Sequence, residues 1–338
     1  MIYGLFVSLY QAQYISGITK SFSFNIPVIT IGNLSVGGTG KSPHVEFLIR
    51  HLKDFIHPAV LSRGYRRKTY GHIDVSINQN SHEVGDEPLQ MKLKFPDIAI
   101  AVNKNRSIGI PRLIKDHPET QVIILDDAYQ HLAVKPYLNI LLTEYTNPFS
   151  KDYLLPSGRL REWRFGHQRA QIVVVTKCPH EPDEAEKNKW RNELKLKADQ
   201  KLFFSRISYG TPYNIFKKDN EYILTESSQV ILVSAIAQSD YLNDYVFPRV
   251  GSLTDYSYED HHYFSSDEIL KMINKYKSIQ HHNKILLTTE KDATRLSLFR
   301  QFFDEHKIPV FAIPITVEFY EQDLFINTIK NYLLEFKA

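Results

Sequence analysis

Ser35-Val36-Gly37-Gly38-Thr39-Gly40-Lys41-Ser42 directly follows the apolar run Val28-Ile29-Thr30-Ile31. A β-branched strand running into a glycine-rich turn, with Lys-Ser opening the next helix, is the setting a phosphate-binding P-loop needs. Glycines let backbone N–H groups converge on phosphate oxygens, and the helix N-terminus adds positive potential. In that reading Lys41 reaches the β- and γ-phosphates and the Ser42 hydroxyl ligates Mg2+. The motif departs from the usual pattern at its first position, where Ser35 replaces glycine. The plain alternative is a strand–turn–helix junction whose glycines serve the turn alone.

Further groups of residues carry chemistry of their own. Val122-Ile123-Ile124-Leu125-Asp126-Asp127 is an apolar strand closing in two acids, the form of a Walker B segment that holds Mg2+ beside a P-loop. Val84-Gly85-Asp86-Glu87-Pro88 puts two acids ahead of a helical stretch. Asp86 there is either an N-cap, which spacing alone favours, or a general base for an attacking hydroxyl. Arg106 is either part of a solvated face or a phosphate clamp. Asp260-His261-His262 offers a histidine beside acids, able to orient a catalytic carboxylate; its spacing does not suit a metal site on one helix face. Val175-Thr176-Lys177-Cys178-Pro179 is similar to the base-reading loop of GTPases, which needs Asp where Pro179 stands, so guanine specificity is not expected.

The elements that must position these residues alternate along the chain. Apolar runs at 59–61, 73–77, 98–102, 122–125, 138–142 and 172–175 read as strands, several nearly continuous, as in a parallel sheet covered on both faces. Between Val28–Ile31 and the first of these, Val45, Leu48, Ile49 and Leu52 form one helical stripe, with Pro43 tolerable in a first turn. The expected fold is therefore α/β and P-loop NTPase-type, a mostly parallel sheet flanked by helices, with a second, smaller α/β domain. The expected boundaries are 1–202 for the P-loop domain, 203–225 for linker strands in a turn-rich stretch, and 226–338 for the smaller domain. In that last part strands are expected at 230–233, 285–288 and 310–313, and a final helix should bury Phe325, Ile329, Tyr332, Leu333 and Phe336.

Of 338 residues, 43% are hydrophobic and 23% charged, with a net charge of +3. These are values of an ordinary globular chain, and they give no reason to expect a nucleic-acid partner. The basic residues cluster locally, at Arg63, Arg66, Arg67 and Lys68 and again at Arg159, Arg161, Arg164 and Arg169. The single cysteine, Cys178, excludes an intramolecular disulfide and suits a reducing compartment. Residues 1–19 hold no charged side chain, and Ile2, Leu5, Phe6, Leu9 and Tyr10 fall on one helical face. This stretch, about 1–18, is shorter and more polar than the roughly 20 apolar residues of a spanning helix. It is either packed on the core or laid in a membrane interface.

Taken together, the P-loop segment with Pro27–Gly32, Ser62-Arg63-Gly64-Tyr65, Val84–Pro88, Asp126–His131, Leu155–Glu162, Asp260–Phe264 and Thr289-Glu290-Lys291-Asp292-Ala293 resemble the tetraacyldisaccharide 4′-kinase family, in order and from about Phe24 to about Leu296. That family also lacks the first P-loop glycine. The resemblance implies transfer of the ATP γ-phosphate to the 4′-hydroxyl of an acylated glucosamine disaccharide 1-phosphate, with ATP and Mg2+, peripherally at the cytoplasmic face of the bacterial inner membrane. The product is the bis-phosphorylated lipid A precursor. By this resemblance Asp86 and His261, rather than His262, are the catalytic pair. Ser35, Val36, Gly37, Gly38, Thr39, Gly40, Lys41, Ser42 and Arg106 are then expected to bind ATP. Ser42, Asp126 and Asp127 hold the metal, with Glu87 and His131 in support, and closure between domains would bring His261 to the site. Family members commonly carry a longer lead before the segment matching Ile2–Leu5, a departure that bears on membrane affinity and not on the chemistry. Two other classes fit the P-loop itself: a kinase of a soluble small molecule, and an ATPase that moves a partner.

Overall fold

The structure, a computed structural model, describes residues 2–337. Strands β1 (Val28–Asn33), β2 (Pro58–Ser62), β3 (Ile73–Asp74), β4 (Ala99–Val102), β5 (Val122–Asp126), β6 (Leu138–Glu144), β7 (Ile172–Thr176) and β8 (Lys201–Tyr209) belong to one sheet. Strands β9 (Tyr213–Asn214), β10 (Gln229–Ser234), β11 (Ser252–Ser257), β12 (Lys284–Thr289) and β13 (Val310–Ile313) form a second, and β14 (Ile315–Phe319) returns to the first. The large sheet runs β14-β8-β7-β6-β1-β5-β2-β4-β3, parallel throughout except at its two edges. The small sheet runs β11-β10-β12-β13-β9 and is parallel except for β9.

The helices are α1 (Ile2–Ile15), α2 (Lys41–Leu52), α3 (Ser81–Val84), α4 (Asp86–Lys94), α5 (Arg106–Asp116), α6 (Glu184–Glu193), α7 (Asp240–Val246), α8 (Ser266–Ser278), α9 (Glu290–Leu296), α10 (Arg300–Glu305) and α11 (Gln322–Glu335). They cover both faces of the large sheet, which explains its uniformly apolar central strands. Side chains of β1 alternate between the faces: Ile29 and Ile31 join Val45, Phe47 and Ile49 of α2, while Val28 joins Ile110 and Leu113 of α5. A separate core under the small sheet gathers Ile231, Val233, Ile269, Met272, Ile273 and Phe303.

Two expectations are corrected. Residues 203–209 are not linker: β8 is the parallel neighbour of β7, with Phe203, Phe204 and Ser205 buried. The turn signals at 209–212 and 217–220 drew the boundary too early. Nor does the smaller unit run to the C-terminus. β14 pairs antiparallel with β8, Ile315 opposite Tyr209, and α11 buries Phe325 and Ile329 in the core of the large sheet. The expected stripe on α11 is otherwise present, Tyr332 and Leu333 packing half-buried on the same core and Phe336 meeting Tyr137 edge-on. Helical periodicity identified the stripe but not the sheet it covers.

α1 settles on the body through its small and polar residues. Tyr3 Oη donates to Arg161 O at 2.9 Å, Gln11 Nε2 to a Glu162 carboxylate oxygen at 2.6 Å, and Trp163 Nε1 to Ser8 Oγ at 2.9 Å. Its apolar residues point outward, with Leu5 61% and Phe6 66% exposed. Among the described residues no helix is long and apolar enough to cross a membrane.

Candidate active site

The turn after β1 is shaped by its glycines. Gly37 and Gly40 have φ of 110° and 84°, a region open to glycine at little steric cost, and Gly40 is the N-cap of α2. Pro43 falls in the first turn of α2, where its missing N–H costs nothing. Asn33 braces the loop from within, its Nδ2 donating to Thr39 Oγ1 at 2.9 Å and its Oδ1 accepting from Lys41 Nζ at 3.5 Å. Ser35 and Val36 are used differently from the rest of the motif. Ser35 pairs with Leu160 in an antiparallel bridge, and Val36 N–H donates to Arg159 O at 2.7 Å. Those two positions anchor the loop to the 155–161 segment; Val36 lines the cavity together with residues 37–42, and Ser35 does not.

This loop forms one wall of a cavity of about 1040 Å3 between the two sheets. Lys41, Ser42, Glu87, Arg106, Asp126, Asp127 and His131 line it from the large sheet; Gln238, Asp260, His261 and Lys291 line it from the small one.

The two acids closing β5 differ sharply. Asp127 has φ of 46° and is gripped by Arg161, whose Nη2 lies 2.7 Å from Oδ1 and Nη1 3.2 Å from Oδ2, with Lys41 Nζ at 3.8 Å. Burial alone would push its carboxyl up, but Lys41 and Arg161 hold it well below the usual carboxylate range. Asp126 is 2% exposed, and its Oδ1 has no hydrogen-bond partner; Oδ2 receives only a long 3.4 Å bond from Ser62. Burial, then the charges of Glu87 and Asp127, push its carboxyl up to about 7. A buried carboxylate oxygen left without a partner suits a cation. Among the described residues no cluster of three or more His, Cys, Asp or Glu side chains could hold a resident metal. The donor set of Ser42, Asp126 and Asp127 fits an ion that arrives with phosphate oxygens completing its shell.

Arg106 is not solvated. It opens α5 at 2% exposure, its Nη2 donating to Asp126 O at 3.1 Å and its Nη1 to Asn103 O and Lys104 O. Burial brings its guanidinium down to about 10. His131 Nε2 accepts from Arg106 N–H at 3.2 Å, and burial with the Arg106 and Arg63 charges pushes its ring down to about 4.

Asp86 does not cap α4. The N-cap is Gly85, with φ of 94°, and Asp86 is the first helical residue. Its Oδ1 accepts from Glu87 N–H at 3.1 Å, and its Oδ2 meets His261 Nδ1 at 2.9 Å. Burial would raise the carboxyl, but the His261 hydrogen bond and the Lys291 and Arg295 charges bring it to about 2. Asp86 lies just behind the cavity wall at 4% exposure, between Glu87 and His261, which line it. His261 itself has φ of 61° and is pinned by Arg66 Nη1, which donates to its carbonyl at 2.7 Å. His262 turns away to Glu268 at 3.1 Å and stacks on Tyr258. The two sheets already meet at the Asp86–His261 contact.

Sequence reasoning missed Arg161, the partner of Asp127, and Lys291, which contacts His261 Nε2 at 3.1 Å. Both lay in segments noted for other reasons, a basic cluster and the Thr289–Ala293 motif, and neither type nor spacing names a partner so distant.

Against this geometry the comparisons with known proteins are specific. The model of the tetraacyldisaccharide-1-P 4′-kinase family matches residues 1–334. The chain belongs to that family. It is similar to the tetraacyldisaccharide 4′-kinase of Bacteroides thetaiotaomicron, 40% identical over 347 residues covering 99% of this chain and 91% of that one. The Flavobacterium johnsoniae protein of the same name is 42% identical over 298 residues, 88% and 85% of the two chains. Among solved structures it is similar to "apo" form LpxK from Aquifex aeolicus in complex with ATP, with a TM-score of 0.76, 26% identity, and 98% and 96% of the chains covered. The reaction of a tetraacyldisaccharide 4′-kinase is ATP-dependent phosphorylation of the 4′-hydroxyl of the lipid disaccharide 1-phosphate, in lipid A biosynthesis.

Proposed function

We propose that the cavity between the sheets is where this kinase transfers phosphate, with the ATP phosphates on residues 37–42 and Asp86 taking the proton of the acceptor hydroxyl. The observation that carries the assignment is the 2.9 Å contact of Asp86 Oδ2 with His261 Nδ1 at the edge of that cavity. The contact orients the carboxylate, and the neighbouring cations keep it ionised; its contribution is position more than basicity. Lys41 would neutralise phosphate charge, with Arg106 beside it. Ser42 and Asp126 would hold Mg2+, whose charge supports the loose transition state of phosphoryl transfer, and Asp127, held by Arg161, would orient that shell. As Asp86 lies behind the wall, the acceptor reaches it by a small opening of the seam between α4 and the His261 loop.

Glu87 is a second candidate for the base, because it lines the cavity where Asp86 does not. Rates of lipid phosphorylation by Asp86→Asn and Glu87→Gln, with ATP affinity measured beside them, separate the two. Loss of about 10²-fold or more in Asp86→Asn alone, at unchanged ATP affinity, supports the first reading; an active Asp86→Asn overturns it.

We further infer that the enzyme lies peripherally on the cytoplasmic side of the inner membrane, without a nucleic-acid partner. The outward apolar face of α1 supports this, and so does its surround: Tyr153, Trp163 and Phe165 are exposed near basic side chains such as Arg164, a pairing suited to the headgroup layer of an anionic membrane. Acyl chains would stay in the bilayer while the sugar enters the polar cavity. Use of ATP as phosphate donor fits the cytoplasmic side.

A further inference from the structure

Lys291, the second residue of α9, sits at the far side of the His261 ring from Asp86. Its Nζ lies 3.1 Å from His261 Nε2, 3.0 Å from Asp260 Oδ1 and 3.5 Å from Glu87 Oε1. An ammonium has three protons and no lone pair, so a contact of this length requires Nε2 to present its lone pair. The ring proton is then on Nδ1, facing Asp86 Oδ2 at 2.9 Å. The other neutral tautomer would set Nε2–H against the ammonium and Nδ1 against the carboxylate, two repulsive contacts in place of two hydrogen bonds. A doubly protonated ring would still set Nε2–H against Lys291.

The groups facing the ring come from three elements. Asp86 and Glu87 stand on α4, Lys291 and Arg295 on α9, and Tyr65 and Arg66 on the loop after β2, with Asp260 adjacent in the chain. Three carboxylates around Lys291 keep its ammonium charged well beyond the ordinary lysine range, against the opposing pull of burial. α9 is itself held rigidly. Thr289 caps it through Asp292 N–H, Glu290 pairs with Lys94, and Asp292 pairs with Arg295.

We propose that Lys291 is a positioning residue for the kinase reaction, filling His261 Nε2 so that the imidazole stays a neutral Nδ1–H donor to Asp86 and cannot act as an onward proton acceptor. The proposal rests on the reading of Asp86 as the base. In the transfer step the acceptor O–H bond breaks and an Asp86 O–H bond forms. The acceptor oxygen bonds the γ-phosphorus as its bond to the ADP oxygen breaks. The proton then leaves Asp86 for solvent, because both ring nitrogens are engaged.

Histidine-selective ¹⁵N NMR of the wild-type protein tests this, with the His261 signals assigned by their loss in His261→Gln. The expected result is a protonated, pyrrole-like Nδ1 and an unprotonated Nε2 in the active enzyme. In Lys291→Met the vacated Nε2 takes a second proton on the acidic side. The acidic limb of the rate profile should then move up by about one pH unit, with a loss of up to about tenfold at pH 6.5 that shrinks toward pH 9. Lys291→Arg, which keeps a donor toward Nε2, should restore the wild-type limb. A protonated Nε2 in the wild type overturns the proposal, and so does an equal loss at every pH in Lys291→Met. If Lys291→Met does not fold, the wild-type spectrum decides. Failure of the base assignment reads differently: Asp86→Asn would turn over normally while the tautomer stayed as described.

Discussion

His261 Nδ1 stands 2.9 Å from Asp86 Oδ2 across 175 positions of sequence, one residue carried by the small sheet and the other by a helix of the large one. Groups that act as a unit lose their contribution together. Asp86→Ala and His261→Ala should each lower the rate of lipid phosphorylation by roughly 10²–10⁴-fold, and the double variant should be little worse than the worse single. Steady-state rates of the three variants check this; fully additive losses would mean that the two act independently.

Lys41 is the P-loop cation, 3.5 Å from Asn33 Oδ1 and 3.8 Å from Asp127 Oδ2. Lys41→Ala should lower phosphoryl transfer by about 10²-fold or more while circular dichroism and thermal unfolding stay close to wild type. Near-normal turnover would remove the γ-phosphate from its reach.

His44 lies fully buried on α2, with Nδ1 2.7 Å from Gly40 O and Nε2 3.0 Å from Ser205 Oγ. Burial pushes its ring down to about 4 from an ordinary 6.5. Between those values the unfolded chain binds more protons than the folded one, so stability present above pH 6.5 is lost as the pH falls toward 4. The loss should approach 3 kcal/mol, at about 1.4 kcal/mol per pH unit. Urea unfolding at pH 7 and pH 4.5 measures it, and His44→Gln should show a flatter dependence over that window. Equal slopes in the two proteins would count against the assignment.

Lys94, at the end of α4, pairs with Glu46 of α2 at 2.7 Å and with Glu290 of α9, tying the two sheets together. Glu46 is buried, and burial raises its carboxyl. Lys94→Met would leave two buried carboxylates without their cation and should cost about 3 kcal/mol by urea denaturation at pH 7. Adding Glu46→Gln should recover part of that loss, because a neutral amide removes one of the two stranded charges.

On the outward face of α1, Leu5, Phe6 and Leu9 are all more than half exposed. Leu5→Asp, Phe6→Asp and Leu9→Asp together should leave the melting temperature and ATP affinity unchanged, while flotation with anionic vesicles falls by about tenfold or more. A triple variant that floats like the wild type would return α1 to a purely structural role.

Much of this molecule could be read along the chain. Most strands from Val28 to Thr176 announced themselves as apolar runs, and the loop at 37–42 by its glycines, because backbone geometry is dictated within a few residues; the run at 73–77 is the exception, its strand closing after Asp74. The strands at its margins were harder. Lys201–Tyr209 carries mixed polarity and β14 is half-buried, so neither stands out until its partner in the sheet is known.

The α/β class, the glycine-rich turn at 37–42 and the pair of acids at the end of β5 were all legible from the chain alone. Each depends on neighbours in the chain, through φ preferences and side-chain period. Which acid of that pair is left without a partner, that Gly85 and not Asp86 caps α4, and that Lys291 meets the histidine emerge from the folded chain. Those outcomes depend on polar side chains 30 or more positions apart, or on which face of a helix is already filled. A contact between sheets forms where packing of two separate cores brings their loops together, and no local pattern encodes that approach.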